Sequence, residues 1–399
     1  MVPNRPVRLD VRVDDLPAVV ASALLGRDED WAERWDELVS ATSALDRLVA
    51  AEPGPHLVEL TARIVEQLAV GASAGRDHRD ALAELAYRVL DAHAAACASA
   101  RPQPRELAEW LLHLQVTHPE APEVRLVRYA RSLGAEGLAH YRELAVAQFE
   151  RLPVIGFGET GRYDRTRWAL LRVMEELAEH TGDVDLQVLT LSKDLSSGWH
   201  YLQVATVLQE AGRSEDALEW VQRGLLATGG RGAAARLIDL AVDECLRLGW
   251  HDRAVELRRR AFLDRPGLDT YLRLRGLAGQ SEQSEQWHRL REEALAHLRE
   301  GRDFTLVRIL LWEGRTAEAL RAAHVQAEHS PQEAIEVYRR VVDTELAGGG
   351  HQVVDWLEQL RALFVRSGQS DAFAEYLEGI KSRHAADRLL LDELARRGF

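Results

Sequence analysis

Lysine and asparagine are nearly missing from this chain of 399 residues: Lys193 and Lys381 are the only lysines, and Asn4 is the only asparagine. Arginine carries the rest of its 50 basic charges, a skew that fits the codon usage of a high-GC bacterial genome better than it fits arginine-specific chemistry. Cysteine is scarce as well. Two thiols, Cys97 and Cys245, cannot build a disulfide framework, which suits a reducing cytoplasm. No apolar run reaches eighteen residues, so no membrane span is expected. The first residues, MVPNRPVRLDVRVDD, lack the apolar centre of a signal peptide. Excess positive charge is absent too. A net charge of −14 disfavours a phosphate backbone as partner, because counterion release requires clustered cations.

Helical periodicity is abundant. Residues 1–13 alternate Val7, Leu9, Val11 and Val13 against Arg8, Asp10 and Arg12, a strand pattern with no partner strand nearby. They form an extended arm, a strand completed by a partner, or the remnant of a preceding domain. Beyond them nearly everything reads as helix, and two segments follow the arm: an N-terminal helical segment, 14–181, and a repeat segment, 182–399. Asp15 and Asp28 are expected N-caps, with Gly26 closing the helix between them. Pro53-Gly54-Pro55 breaks the chain, Gly71–Gly75 reads as a loop, and Asp77 opens a long alanine-rich helix. Pro104 and Pro122 suit first-turn positions of helices that end near Val116 and Leu133. Another helix runs from Ala135 to Leu152, and Asp164 starts the next after a glycine-rich loop.

The stretch Trp199–Ala227 is the clearest unit. Tyr201, Val204, Ala205 and Leu208 form one apolar stripe, Gly212 turns the chain, Ser214 caps, and Ala217, Leu218, Val221, Leu225 and Leu226 face back. The same turn, glycine followed five residues on by a small or apolar residue, recurs as Gly212…Ala217, Gly249…Ala254, Gly314…Ala319 and Gly368…Phe373. Gly212 and Gly249 are 37 residues apart, and the 65 between Gly249 and Gly314 make two units of about 33 with Gly279 as a degenerate turn. Periods near 34 enclosing a helix–turn–helix are the tetratricopeptide (TPR) signature. The expected fold is therefore all-α, TPR-like helix–turn–helix repeats forming a curved α-solenoid.

Segments ARPQPRELAEWLLHLQ (100–115), YARSLGAEGLAHYRELA (129–145), RYDRTRWALLRVMEELAEHTGDVD (162–185) and DLSSGWHYLQVATVLQEAGRSEDALEW (194–220) resemble the helical region of bacterial SWIM zinc-finger proteins. The resemblance runs from about residue 80 to the end and implies a TPR-like array. The family's zinc module has a C-x-C…C-x-H pattern that this sequence lacks, so any role of that module does not carry over.

Several motifs suggest chemistry. Gly156-Phe157-Gly158-Glu159-Thr160-Gly161 matches G-x-G-x-x-G, but a dinucleotide cradle needs a strand before it and a βαβ unit around it. Gly71-Ala72-Ser73-Ala74-Gly75 matches the nucleophile elbow, yet the residues before it have helical spacing. His93 and Cys97, four apart, have metal-ligand spacing, but two further ligands are missing, and a buried thiol beside a partly exposed imidazole is the preferred reading. Cys245 reads as a small core residue. The tryptophans, among them Trp110, Trp168, Trp220, Trp312 and Trp356, read as packing between helices. No catalytic, cofactor or metal site is expected.

Two polar features point to recognition. Arg253 to Arg275 holds seven arginines, of which Arg258, Arg259 and Arg260 are the candidate anion site. In TPR-like arrays the first helix of each pair lines the groove, which makes Gln209, Arg236, Asp239, Asp243, Arg247, Arg273 and Arg308 the expected partner-binding residues. The leading functional expectation is a cytoplasmic, non-catalytic scaffold that docks a peptide or protein partner. A nucleic-acid-associated factor using the arginine-rich surface, and a nucleotide-dependent enzyme using the 156–161 loop, stand as alternatives.

Overall fold

The computed structural model describes residues 13–25, 30–51, 54–74, 78–119, 123–161, 164–278, 285–301, 304–348 and 353–399. The expected arm, the caps at Gly26, Asp28, Asp77 and Pro122, and the turns at Pro53, Gly75 and Gly279 lie wholly or mainly outside these residues.

The fold is all-α. A 3₁₀ turn at Val13–Asp15 leads into α1 (Leu16–Leu25), α2 (Trp31–Ala51), α3 (Pro55–Ala74), α4 (Arg79–Ala100), α5 (Pro104–Thr117), α6 (Leu126–Glu150), α7 (Arg165–Thr181), α8 (Val184–Leu191), α9 (Gly198–Glu210) and α10 (Ser214–Thr228). Then come α11 (Ala234–Arg247), α12 (His251–Asp264), α13 (Leu268–Ala278), α14 (Glu285–Arg299), α15 (Thr305–Trp312), α16 (Thr316–Gln326), α17 (Pro331–Ala347), α18 (Val354–Arg366), α19 (Ser370–Arg383) and α20 (Arg388–Arg396). The chain divides into two compact units, with the boundary in sequence falling between Leu237 and Ile238 of α11. Among the described residues, extended pairing is confined to one isolated parallel bridge, Ile155 with Asp194, and no helix is long and apolar enough to cross a membrane.

Within each unit the substantial contacts join helices one or two places apart in sequence, as in α3–α4, α4–α6, α5–α7 and α9–α10, or α13–α15 and α15–α16. That short reach defines an α-solenoid: each pair hides its apolar face only against its neighbours. One turn geometry repeats. Gly212, Gly249, Gly314 and Gly368 have φ between +68° and +76°. In each, the glycine amide bonds the carbonyl three residues back and the next amide bonds the carbonyl five back: Arg213 to Leu208, Trp250 to Cys245, Arg315 to Leu310, Gln369 to Phe364. This is the Schellman closure of a helix. The four residues whose carbonyls accept that second bond are buried, and so are Ala217, Ala254, Ala319 and Phe373, five places after each glycine.

Other expectations need correction. The 71–75 segment is no loop up to Ala74: α3 continues through it, and Ser73 Oγ donates to the Ala69 carbonyl 2.9 Å away, inside the helix. A Cβ at 71 would sit 2.8 Å from a methyl of Leu24 on α1, so a larger residue there would make that side chain shift. Ser214 does not cap α10; Arg213 holds that position and makes no side-chain capping bond. Leu226 faces outward, 75% exposed. The break expected between Leu133 and Ala135 appears as a kink at Gly134 (φ 57°, ψ −167°) inside α6. Asp164 caps α7 as expected, accepting from the Thr166 and Arg167 amides.

Candidate functional site

The glycine-rich loop 156–161 is clamped to the loop that joins α8 to α9. Ile155 N–H donates to the Lys193 carbonyl (3.0 Å), Leu195 N–H to the Ile155 carbonyl (2.8 Å) and Gly158 N–H to the Ser196 carbonyl (3.0 Å). The Gly156 amide is taken by the Glu159 carboxylate at 2.8 Å. A phosphate cradle needs converging free amides; here a carboxylate of the loop itself occupies one and a backbone carbonyl another. Lys193, one of the two lysines, is the buried fastening: its ammonium donates to the Glu150 and Leu152 carbonyls at 3.0 and 2.9 Å, at the negative end of α6. Arg167 adds bonds to the Pro153 and Lys193 carbonyls. Neither side chain was legible as structural from sequence.

Beside this loop, His200 meets Asp194, Ser196 and Ser197, but all three approach the same nitrogen, Nδ1, at 3.3 to 3.4 Å. A hydrolytic triad needs the serine and the acid on opposite ring nitrogens, so this cluster is a helix-start network.

His93 and Cys97 are both fully buried, as expected for the thiol and correcting the expectation of a partly exposed imidazole. The Tyr129 hydroxyl donates to the Leu90 carbonyl (3.1 Å), so His93 Nδ1, 3.0 Å from that oxygen, must carry a proton. Nε2 is then the acceptor, facing Cys97 Sγ at 3.6 Å. Burial drives the imidazole pKa down to about 3 and the thiol up to about 12. The chain Cys97–His93–Tyr129 is neutral and satisfied. Among the described residues, no group of three or more histidine, cysteine or acidic side chains is placed to hold a metal ion.

The expected groove residues divide sharply. Asp239 on α11 receives Arg258 from α12 (2.5 Å) and Arg273 from α13 (2.7 Å), and Arg273 also bonds Asp269. Burial pushes the Asp239 pKa upward, but hydrogen bonds from Arg258 and then Arg273 outweigh it and hold the carboxyl below its ordinary range. Asp239 thus pins three helices together. Arg247 folds back on the buried Glu244 at 2.6 Å. Gln209 is half-buried near the Gly212 turn. Arg236, Asp243 and Arg308 are exposed and make no ion pair among the described residues. The anion candidates are neutralised locally: Arg258 by Asp239, Arg259 by Glu293 and Glu256, Arg260 by Glu256.

Sequence reasoning missed a second network in the later unit. Glu313 accepts from the Tyr271 hydroxyl (2.5 Å) and, through both oxygens, from Arg291 at 2.7 Å. Burial raises the Glu313 pKa, and hydrogen bonds from Arg291 and Tyr271 overcome it to leave the group below its usual value. Two of the tryptophans are only partly covered, each 42% exposed: Trp168 lies under Arg172 of its own helix, 4.4 Å from the ring centroid, whereas Trp312 of α15 packs between helices as expected, edge-on to Tyr271 and 4.6 Å under Arg275 of α13. That geometry is cation–π.

No family model matches the chain, and no curated protein does. One solved structure, described as a circular tandem repeat protein with novel repeat topology and enhanced subunit contact surfaces, aligns with 97% of this chain and 98% of that one at 17% identity and a TM-score of 0.20.

Proposed function

We propose that the chain is a non-catalytic interaction scaffold that takes a peptide or protein segment along the first helices of its repeats, α11, α13 and α15 in the second unit. The observation supporting this is the division of charge on those helices. Asp239, Arg247 and Arg273 are consumed by the chain's own ion pairs, whereas Asp243 and Arg308 stay exposed without one among the described residues. Unspent charges of opposite sign on two of these first helices, α11 and α15, can fix the register of a partner. A cytoplasmic setting agrees with two free, buried thiols. The likeness to the helical region of SWIM zinc-finger proteins supports the same architecture and names no partner. The nucleic-acid reading draws no support from Arg258, Arg259 and Arg260, whose charges face carboxylates.

The test is affinity capture from the native host with wild type and with Asp243→Arg/Arg308→Glu. Both residues are exposed, so Tm should stay within about 1 °C, while the specific partner is lost. An unchanged set of captured proteins would remove this face from consideration. Asp239 is unsuitable for the test, because reversing it would leave Arg258 and Arg273 facing a cation.

A further inference from the structure

A cleft of about 550 Å³ opens beside α5 and α6 of the first unit. Its apolar wall is Leu112, Val116 and Leu144, its aromatic wall is Trp110, and its acids are Glu106 and Glu109. The spacing follows from the helix: Glu106, Trp110, His113 and Thr117 recur at three- and four-residue intervals and share one face of α5. Trp110 is fixed, its indole N–H donating to Glu66 at 2.7 Å and its ring lying 4.3 Å from the His93 ring. Glu109 is met only by His140, at 3.0 Å, and Glu106 makes no ion pair among the described residues.

What sets this cleft apart is its charge. Three other surface clefts each contain arginine: Arg339 and Arg340 in one, Arg396 and Arg397 in another, Arg165 in a third. No arginine or lysine lines the cleft at Trp110. It also belongs to the more acidic part of the chain, with 26 basic against 36 acidic residues up to Leu237. A planar guanidinium satisfies all three wall types at once, stacking on an indole, bonding a carboxylate through two N–H groups and laying its methylenes on apolar surface. A volume of this size fits a side chain and its flanking backbone, not a folded domain.

We propose that this cleft receives an arginine side chain from a basic segment of a partner protein. The site lies in a different unit from the α11–α15 face and stands independently of it.

The probe is N-acetyl-arginine amide, with N-acetyl-citrulline amide as its uncharged isostere. The readout is the indole N–H signal of Trp110 in protein labelled with ¹⁵N-tryptophan, assigned by its loss in Trp110→Phe. The arginine amide should shift that signal saturably at millimolar concentration and citrulline should not. Glu106→Gln/Glu109→Gln should weaken the effect about tenfold while leaving the other indole signals in place, which shows that the variant is folded. Asp243→Arg/Arg308→Glu should leave the titration unchanged, so failure here is distinct from failure of the scaffold reading. Equal shifts with citrulline, unchanged affinity in the double glutamine variant, or no shift in wild type would each overturn the proposal.

Discussion

His93 shows how one side chain can tie this fold to pH. Its imidazole is neutral in the folded chain, donating to Tyr129 and facing the Cys97 thiol, and burial holds its pKa near 3 against an ordinary 6.5. Between those values the unfolded chain binds a proton that the folded chain refuses, so stability falls as pH drops from 6.5 towards 3. Above pH 6.5 neither state is protonated and the contribution is flat. One such group gives a slope approaching about 1.4 kcal/mol per pH unit. His93→Gln, which can still donate to Tyr129 and accept from Cys97, should remove that slope. Urea unfolding of both proteins from pH 7.5 to 4.5 checks this, and a constant difference between them across the range would refute it. The sequence carried part of this site: the four-residue spacing put His93 and Cys97 on one face. The burial of the thiol was expected; that of the imidazole was not legible, because it depends on Tyr129 and Trp110, which lie elsewhere in the chain.

Helix ends were far easier to read than helix interiors. At Gly249 the chain must enter the left-handed region to close α11 (φ +76°), a demand that only local geometry imposes and glycine alone meets cheaply. Such turns announce themselves wherever a glycine ends an apolar stripe, and four of them marked the repeat. Gly71 has the same identity and a different setting, inside α3 where a methyl of Leu24 of α1 approaches it, and nothing in residues 71–75 encodes that neighbour. Asp239 was misplaced for a similar reason: its position on a first helix was correct, but the arginines that consume it come from two other helices. The two glycine classes should respond oppositely to one substitution. Gly249→Ala forces a left-handed alanine and should cost about 1 kcal/mol or more. Gly276, within α13 and with no atom within 4 Å of an added Cβ, should gain roughly 0.5–1 kcal/mol as alanine through helix propensity. Thermal or urea unfolding of the two variants decides it, and shifts of the same sign would contradict this account of the turn.

At the scale of the molecule, what matters is how far a perturbation travels. A globular core shared by all elements would spread the loss of one side chain everywhere, whereas helices that touch only the next one or two confine it. Ile309, fully buried on α15, tests this. Ile309→Ala should destabilise its surroundings by about 2–5 kcal/mol. Because α15 makes its substantial contacts with α13, α14 and α16, native-state hydrogen exchange should lose protection in α13–α16 and keep it in α3–α7, whose apolar core is a separate cluster. Uniform loss across the chain would mean one cooperative core and remove the solenoid description. The same locality bears on function. If each pair of helices holds its own shape, charges such as Asp243 and Arg308 stay in place when distant repeats fray, and the proposed partner would be read at independent points along the chain.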